Sequence, residues 1–168
     1  ETEEKKSRFL AELVPYDHLA TRLTELRVAH PKANHHVTAY RYLNDENQLI
    51  EHGKDDGEPS GTSGVPCLKV LQGRDLINVA VIVTRYFGGV KLGTGGLTRA
   101  YGAAAKQAIA EADIVKWVER AEMTLEIDYS QLQLLEYQLK QLRGEIIDQS
   151  FTDKVVVSIV LPAQHQQA

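Results

Sequence analysis

Residues 76–84, LINVAVIVT, form an apolar run interrupted only by Asn78 and closed by Thr84, which leads directly into RYFGGVKLGTGGLTRAYG at 85–102. A strand with one wet face alternates apolar and polar residues. Loss of alternation over this run predicts a strand covered on both faces, hence one at the middle of a sheet. The glycine-rich segment must then turn the chain from that strand into a helix, predicted over 95–112 with Leu97, Ala100 or Tyr101, Ala104 and Ala108 on its inner face. Small alanines there let the helix lie close on the sheet.

The flanking sequence supplies the rest of a sheet. SRFLAELV (7–14) reads as a strand, followed by a helix capped by Asp17, with Leu19, Leu23 and Leu26 on one stripe, that ends near His30-Pro31. HHVTAYRYL (35–43) and residues 48–53 read as a hairpin turned by NDEN. A short helix is expected over 65–71. Beyond residue 121 the texture changes. Met123, Leu125 and Ile127 alternate with polar residues as in a half-exposed strand, and Ser130 with Gln133 reads as a capping box. The helix it opens carries Leu132, Leu135, Leu139 and Leu142 and stops at Gly144. Strands at 145–151 and 154–161 follow, so the tail reads as β-α-β-β, three-quarters of a ferredoxin-like module. The missing last helix and strand, and a start at Glu1 in place of methionine, are expected of a piece of a longer protein.

Composition narrows the function classes. One cysteine, Cys67, excludes an internal disulfide framework and a cysteine-rich zinc set, and fits a reducing cytoplasm. No apolar run is long enough to span a bilayer, and the charged start ETEEKKSRF is unlike a signal peptide. With 19 basic and 23 acidic residues the net charge is −4, so any contact with a polyanion requires a local basic patch.

Segment 85–102 holds six glycines, two tyrosines and three basic residues without a carboxylate. The dinucleotide pattern GxGxxG fails at Thr98, and the phosphate-loop pattern lacks its lysine. What remains is general physics: a strand that leads through glycines to a helix start presents unpaired N–H groups and a positive dipole end to an anion. Arg85, Lys91 and Arg99 reinforce that field, and Tyr86, Phe87 and Tyr101 offer flat faces for bases. The plainer alternative is that the glycines serve only tight strand-to-helix packing and the aromatics fill core. DDGEPSGTSG lacks the calcium-loop spacing and reads as a turn stabilised by its own carboxylates. His35 and His36, adjacent on a strand, point to opposite faces and do not chelate one ion together; one of them lines a site with Asp55 or Asp56, or serves as a structural donor. Cys67 reads as a buried thiol.

KKSRF at 5–9, HH at 35–36, DDGEPSGTSGVP at 55–66, RYFGG at 85–89 and LGTGGLTRAYG at 92–102 occur together and in this order in the IMPACT/YigZ family, which the chain resembles over residues 3–112. The later β-α-β-β unit is similar to the C-terminal domain of the bacterial branch. The resemblance implies an α+β chain. An IMPACT-type two-layer α/β domain similar to elongation factor G domain IV is expected over 1–117, and a partial ferredoxin-like domain over 118–168. It also implies a cytoplasmic role in binding rather than turnover, because eukaryotic members regulate translation by competing for the activator of an initiation-factor kinase. No cofactor, metal or catalytic residue is expected. The partners expected are RNA or ribosome-associated factors, or a protein, and not a membrane.

The site expectation joins both readings. Arg85, Tyr86, Lys91, Thr94, Gly95, Gly96, Arg99 and Tyr101 contact RNA or another anion, the acidic loop Asp55, Asp56 and Glu58 orients the basic side chains, and His35 and His36 line the site. The rival expectations are an enzyme or binding protein for a phosphorylated metabolite, and a protein-interaction regulator.

Overall fold

The computed structural model describes residues 1–166, and the chain divides into two compact units, Glu1–Ile114 and Val115–Ala168. In the first, β1 (Thr2–Glu4), β2 (Ser7–Pro15), α1 (Leu19–Ala29), β3 (His35–Leu43), β4 (Leu49–Lys54), α2 (Gly64–Gly73), β5 (Val79–Tyr86) and α3 (Gly93–Ala110) follow in order. The sheet runs β1-β2-β5-β3-β4 with every pairing antiparallel. The apolar run therefore does lie at the centre.

One sheet face is built by Phe9, Val37, Ala39, Val81 and Val83, which pack with Cys67 and Leu71 of α2 and Leu97, Tyr101, Ala104 and Ala105 of α3. Ala80, Ile82 and Thr84 alternate with Val81 and Val83, so they point to the other face, and they are buried too. Burial of each of Val81, Ile82 and Val83 contributes about 1.5–3 kcal/mol, which is why a polar alternation is absent there. The start of α2 approaches β4 backbone to backbone. A Cβ on Gly64 would stand 2.4 Å from the Lys54 nitrogen, and one on Gly53 would stand 2.5 Å from the Gly64 carbonyl carbon, so both positions exclude any side chain.

The second unit contains β6 (Arg120–Ile127), α4 (Leu132–Gln141), β7 (Glu145–Phe151) and β8 (Val155–Pro162), with sheet order β6-β8-β7. Leu139, Val155, Val157, Ile159 and Leu161 form its core. The fold is thus a two-unit α+β chain whose tail has the expected β-α-β-β order.

Three local expectations need correction. The capping box is made by Asp128 and Gln131, not by Ser130 and Gln133, because a 3-10 turn over Tyr129–Gln131 precedes α4 and moves the cap upstream. A similar turn over Tyr16–His18 precedes α1, so Asp17 lies inside the turn and makes no cap hydrogen bond. The edge strand β1 was not expected; its three residues carry no apolar signal.

Candidate anion and nucleic-acid interface

Antiparallel pairing brings the start of β2, the start of β3 and the end of β5 to one edge of the first unit, where Arg85 lies opposite both Phe9 and His35. Arg85 continues the inward parity of Val81 and Val83, and its side chain is buried. The guanidinium lies between the rings of Phe9 and Phe87, with its carbon 5.5 and 5.6 Å from their centroids. It donates to Glu58 and, at 3.2 Å, to Ser7 Oγ. Its Nε has no hydrogen-bond partner among the described residues, and the flanking rings attract the guanidinium as a whole. Tyr101, completely buried, donates its hydroxyl to the same Glu58 oxygen at 2.8 Å. Burial, and then the Glu58 carboxylate, push its phenol well above the ordinary range.

This arrangement corrects the expectation for two residues. Arg85 and Tyr101 do not face solvent, because a buried guanidinium requires a counter-charge and Glu58 holds it inside. The acidic loop does orient a basic side chain, but an internal one.

The rest of that loop is held as tightly. Asp55 accepts hydrogen bonds from the amides of Gly61 (2.8 Å), Ser63 (3.1 Å) and Gly64 (2.8 Å), tying the loop to the start of α2. Asp56 accepts from the His36 amide (2.8 Å) and from Arg27 (3.1 Å). Burial opposes ionisation of Asp56, but those two donors outweigh it and hold its carboxyl below the usual value. His35 and His36 do point to opposite sides: His35 Nδ1 meets the Asp56 carbonyl at 2.9 Å, and His36 Nδ1 meets Thr84 Oγ1 at 3.0 Å. Burial, and then Arg27, lower the pKa of His36. Among the described residues no group of three or more His, Cys, Asp or Glu side chains is placed to hold a metal. Cys67 is buried, and its thiol is pushed up to about 12 by burial and Asp55.

The exposed part of the segment lies between these anchors. Phe87, Lys91, Thr94, Gly95 and Arg99 are exposed, and Gly96 is half-buried against Leu92. No side chain caps the start of α3, and no acidic residue sits in its first turn. Tyr86 is half-buried, its hydroxyl 2.7 Å from His30 Nδ1 and its ring under the Arg8 guanidinium; Phe87, with Arg85 against its ring, is the more exposed aromatic of the two. Lys5 and Lys6 join the site although no sequence pattern places them there. They form the left-handed turn between β1 and β2, with φ of 46° and 65°, and Gly88 lies so close that a Cβ would stand 2.1 Å from the Lys6 carbonyl carbon. Lys5 and Arg99 also line one cleft of about 280 Å³, with Glu3 and Glu4 on its strand side. Only a tertiary contact reveals this, since nothing periodic in KKSRF says what it folds against.

Comparison with known proteins agrees with these motifs. The family profile Impact N-terminal domain matches residues 5–109, and Domain of unknown function (DUF1949) matches residues 125–168. The chain is 37% identical to IMPACT family member YigZ of Escherichia coli over 163 residues, which covers 95% of this chain and 79% of that protein. Over 62 residues it is 39% identical to the Protein IMPACT homolog of Schizosaccharomyces pombe, covering 37% of this chain and 21% of the relative. A solved structure described as a hypothetical protein aligns with a TM-score of 0.69 and 35% identity over 99% of this chain and 82% of the other. A profile match over most of the chain and 37% identity over 95% of it lead to one conclusion: the chain belongs to the IMPACT family.

Proposed function

We propose that the first unit is a binding module of the translation apparatus that holds RNA phosphates at the exposed glycine segment, without catalytic turnover, in the cytoplasm. One observation carries this reading: the uncapped start of α3, with exposed Lys91 two residues ahead of it, shares a cleft through Gly96 and Arg99 with Lys5 of the Lys5–Lys6 turn. Free helix N–H groups with nearby ammonium and guanidinium groups favour a phosphate, and Phe87 offers a base a stacking face. The reading of binding without chemistry is supported by the way the Glu58 carboxylate nearest the segment is taken up in the interior by Arg85 and the Tyr101 hydroxyl. The family resemblance supports the translation context.

The test is binding of single-stranded RNA as a function of salt. If Lys6, Lys91 and Arg99 each neutralise one phosphate, the salt slope is about −2, and raising salt from about 50 to about 200 mM weakens binding about ten- to twentyfold. Lys6→Glu, Lys91→Glu and Arg99→Glu lie on exposed side chains and together abolish that dependence, whereas Glu3→Gln with Glu4→Gln strengthens binding. Affinity that ignores salt, or that survives the triple variant, refutes the surface. Arg85 is unsuited to this test, since Arg85→Glu would bury a second carboxylate against Glu58 and disturb the fold.

A further inference from the structure

The opposite edge of the same sheet carries a different chemistry. There β2 ends, β3 ends and β5 begins, and the turn after β2 places Tyr16 flat against Tyr42 of β3, with ring centroids 3.9 Å apart and planes 7° from parallel. Tyr40, two residues before Tyr42 and so on the same sheet face, extends the aromatic surface with a centroid 5.2 Å from that of Tyr16. An open cleft of about 570 Å³ is bordered by the stacked pair, by Asp17 and Asp45, and by Asn44 and Asn78. The two amides have structural duties: Asn78 Oδ1 accepts from the Leu43 amide at 3.0 Å, and Asn44 Oδ1 accepts from the amides of Glu46 and Gln48 at 3.0 and 2.8 Å. The carboxylates do not. Asp17 and Asp45 are exposed, and among the described residues neither is joined to a cation by an ion pair, so two negative charges flank an aromatic wall, with no cationic side chain among the lining residues.

We propose that this cleft binds an organic cation, an alkylammonium or guanidinium group, against the Tyr16–Tyr42 pair with Asp17 and Asp45 at its rim. The negative ring faces attract a desolvated cation, the two carboxylates add Coulomb attraction, and both exclude phosphates and other anions. A hard metal ion fits less well, because Asp17 follows β2 while Asp45 lies in the β3–β4 turn, and no grouping of metal-ligating side chains arises among the described residues. Burial, and then the neighbouring Tyr42 hydroxyl, keep Tyr16 protonated and its ring uncharged through the physiological range. The cleft is separate from the glycine segment: β5, eight residues long, lies between them, a span of about 25 Å.

The same cation chemistry arises in two sources, a lysine or arginine side chain of a partner protein and a free small amine, and the experiment separates them. Amide chemical shifts of the full chain are followed while titrating an acetylated pentapeptide Gly-Gly-Arg-Gly-Gly, its Gln counterpart, and tetramethylammonium. The expected result is a saturable shift of the Leu43, Asn44 and Asn78 amides with the Arg peptide and none with the Gln peptide. Asp17→Asn with Asp45→Asn weakens binding about two- to fivefold per carboxylate, Tyr42→Leu by a similar factor, and Tyr42→Phe leaves it unchanged because the ring face is retained. Tighter binding of the Arg peptide than of tetramethylammonium assigns the cleft to a protein side chain, and the reverse assigns it to a free amine. Absence of a saturable shift with either cation, equal binding of the Gln peptide, or undiminished binding by the double Asn variant overturns the proposal. The Asn and Phe variants keep side-chain volume, so their outcome is independent of any folding defect in Tyr42→Leu.

Discussion

Glu58 is a carboxylate in a stretch of glycine, serine and proline, a composition that ordinarily marks a wet turn, yet it is the counter-charge for a buried arginine and the acceptor for a buried phenol. Its removal leaves Arg85 charged and uncompensated in the interior. Glu58→Ala is therefore expected to lower the free energy of unfolding by about 3–5 kcal/mol, read from urea denaturation of the first unit's transition. Glu58→Gln costs less, because an amide oxygen still accepts from Tyr101; stability equal to the parent in both variants would show that the pair contributes nothing. Half of this arrangement was legible in the sequence. Counting by two along β5 from Val81 and Val83 places Arg85 on the inward face, and Tyr101 lies on the predicted inner stripe of α3, so both could have been assigned to the core by period alone. The other half was not legible, since only the folded loop shows that the acid meeting them comes from residue 58.

At the level of elements, the strongest patterns are legible in the sequence: the central strand, the hairpin over 35–43 and 48–53 and the long helix, because each is fixed by a sustained run or period. The β1 strand and the 3-10 turns before α1 and α4 are not legible because each is a single turn or a three-residue edge, too short for any period to accumulate. The glycines divide by what surrounds them, and this division can be measured. Gly88 abuts the Lys6 backbone, which cannot swing aside as a side chain would, so Gly88→Ala is expected to destabilise by about 2 kcal/mol or more and to lower the melting temperature. Gly102, inside α3 with open space at its Cβ position, behaves oppositely: Gly102→Ala gains about 0.5–1 kcal/mol from helix propensity. Equal shifts in the two variants would contradict the close approach at Gly88.

Over the whole molecule, a chain of net charge −4 sets the exposed cations Lys5, Lys6, Lys91 and Arg99 toward one edge of its first sheet and the exposed carboxylates Asp17 and Asp45 at the other, a local distribution that composition averages away. Acid sensitivity follows from the interior. The ordinary value for histidine is 6.5, and burial lowers that of His36 in the folded chain, so below pH 6.5 the unfolded state binds more protons. Stability is fully present above that pH and is lost as pH falls from 6.5 toward the lowered folded value; Asp56, with its depressed carboxyl, adds a second loss only below 3.8. The melting temperature is expected to fall between pH 7 and pH 5, and more shallowly in His36→Gln; an unchanged slope in that variant would remove His36 as the cause. The shared carboxylate has one more consequence. Arg85 and Tyr101 stand at either side of the glycine segment and fasten to the same oxygen, so the segment is a clasp riveted at both roots. A guest that settles on it finds a frame already set, and little further backbone freedom is surrendered when it is seized.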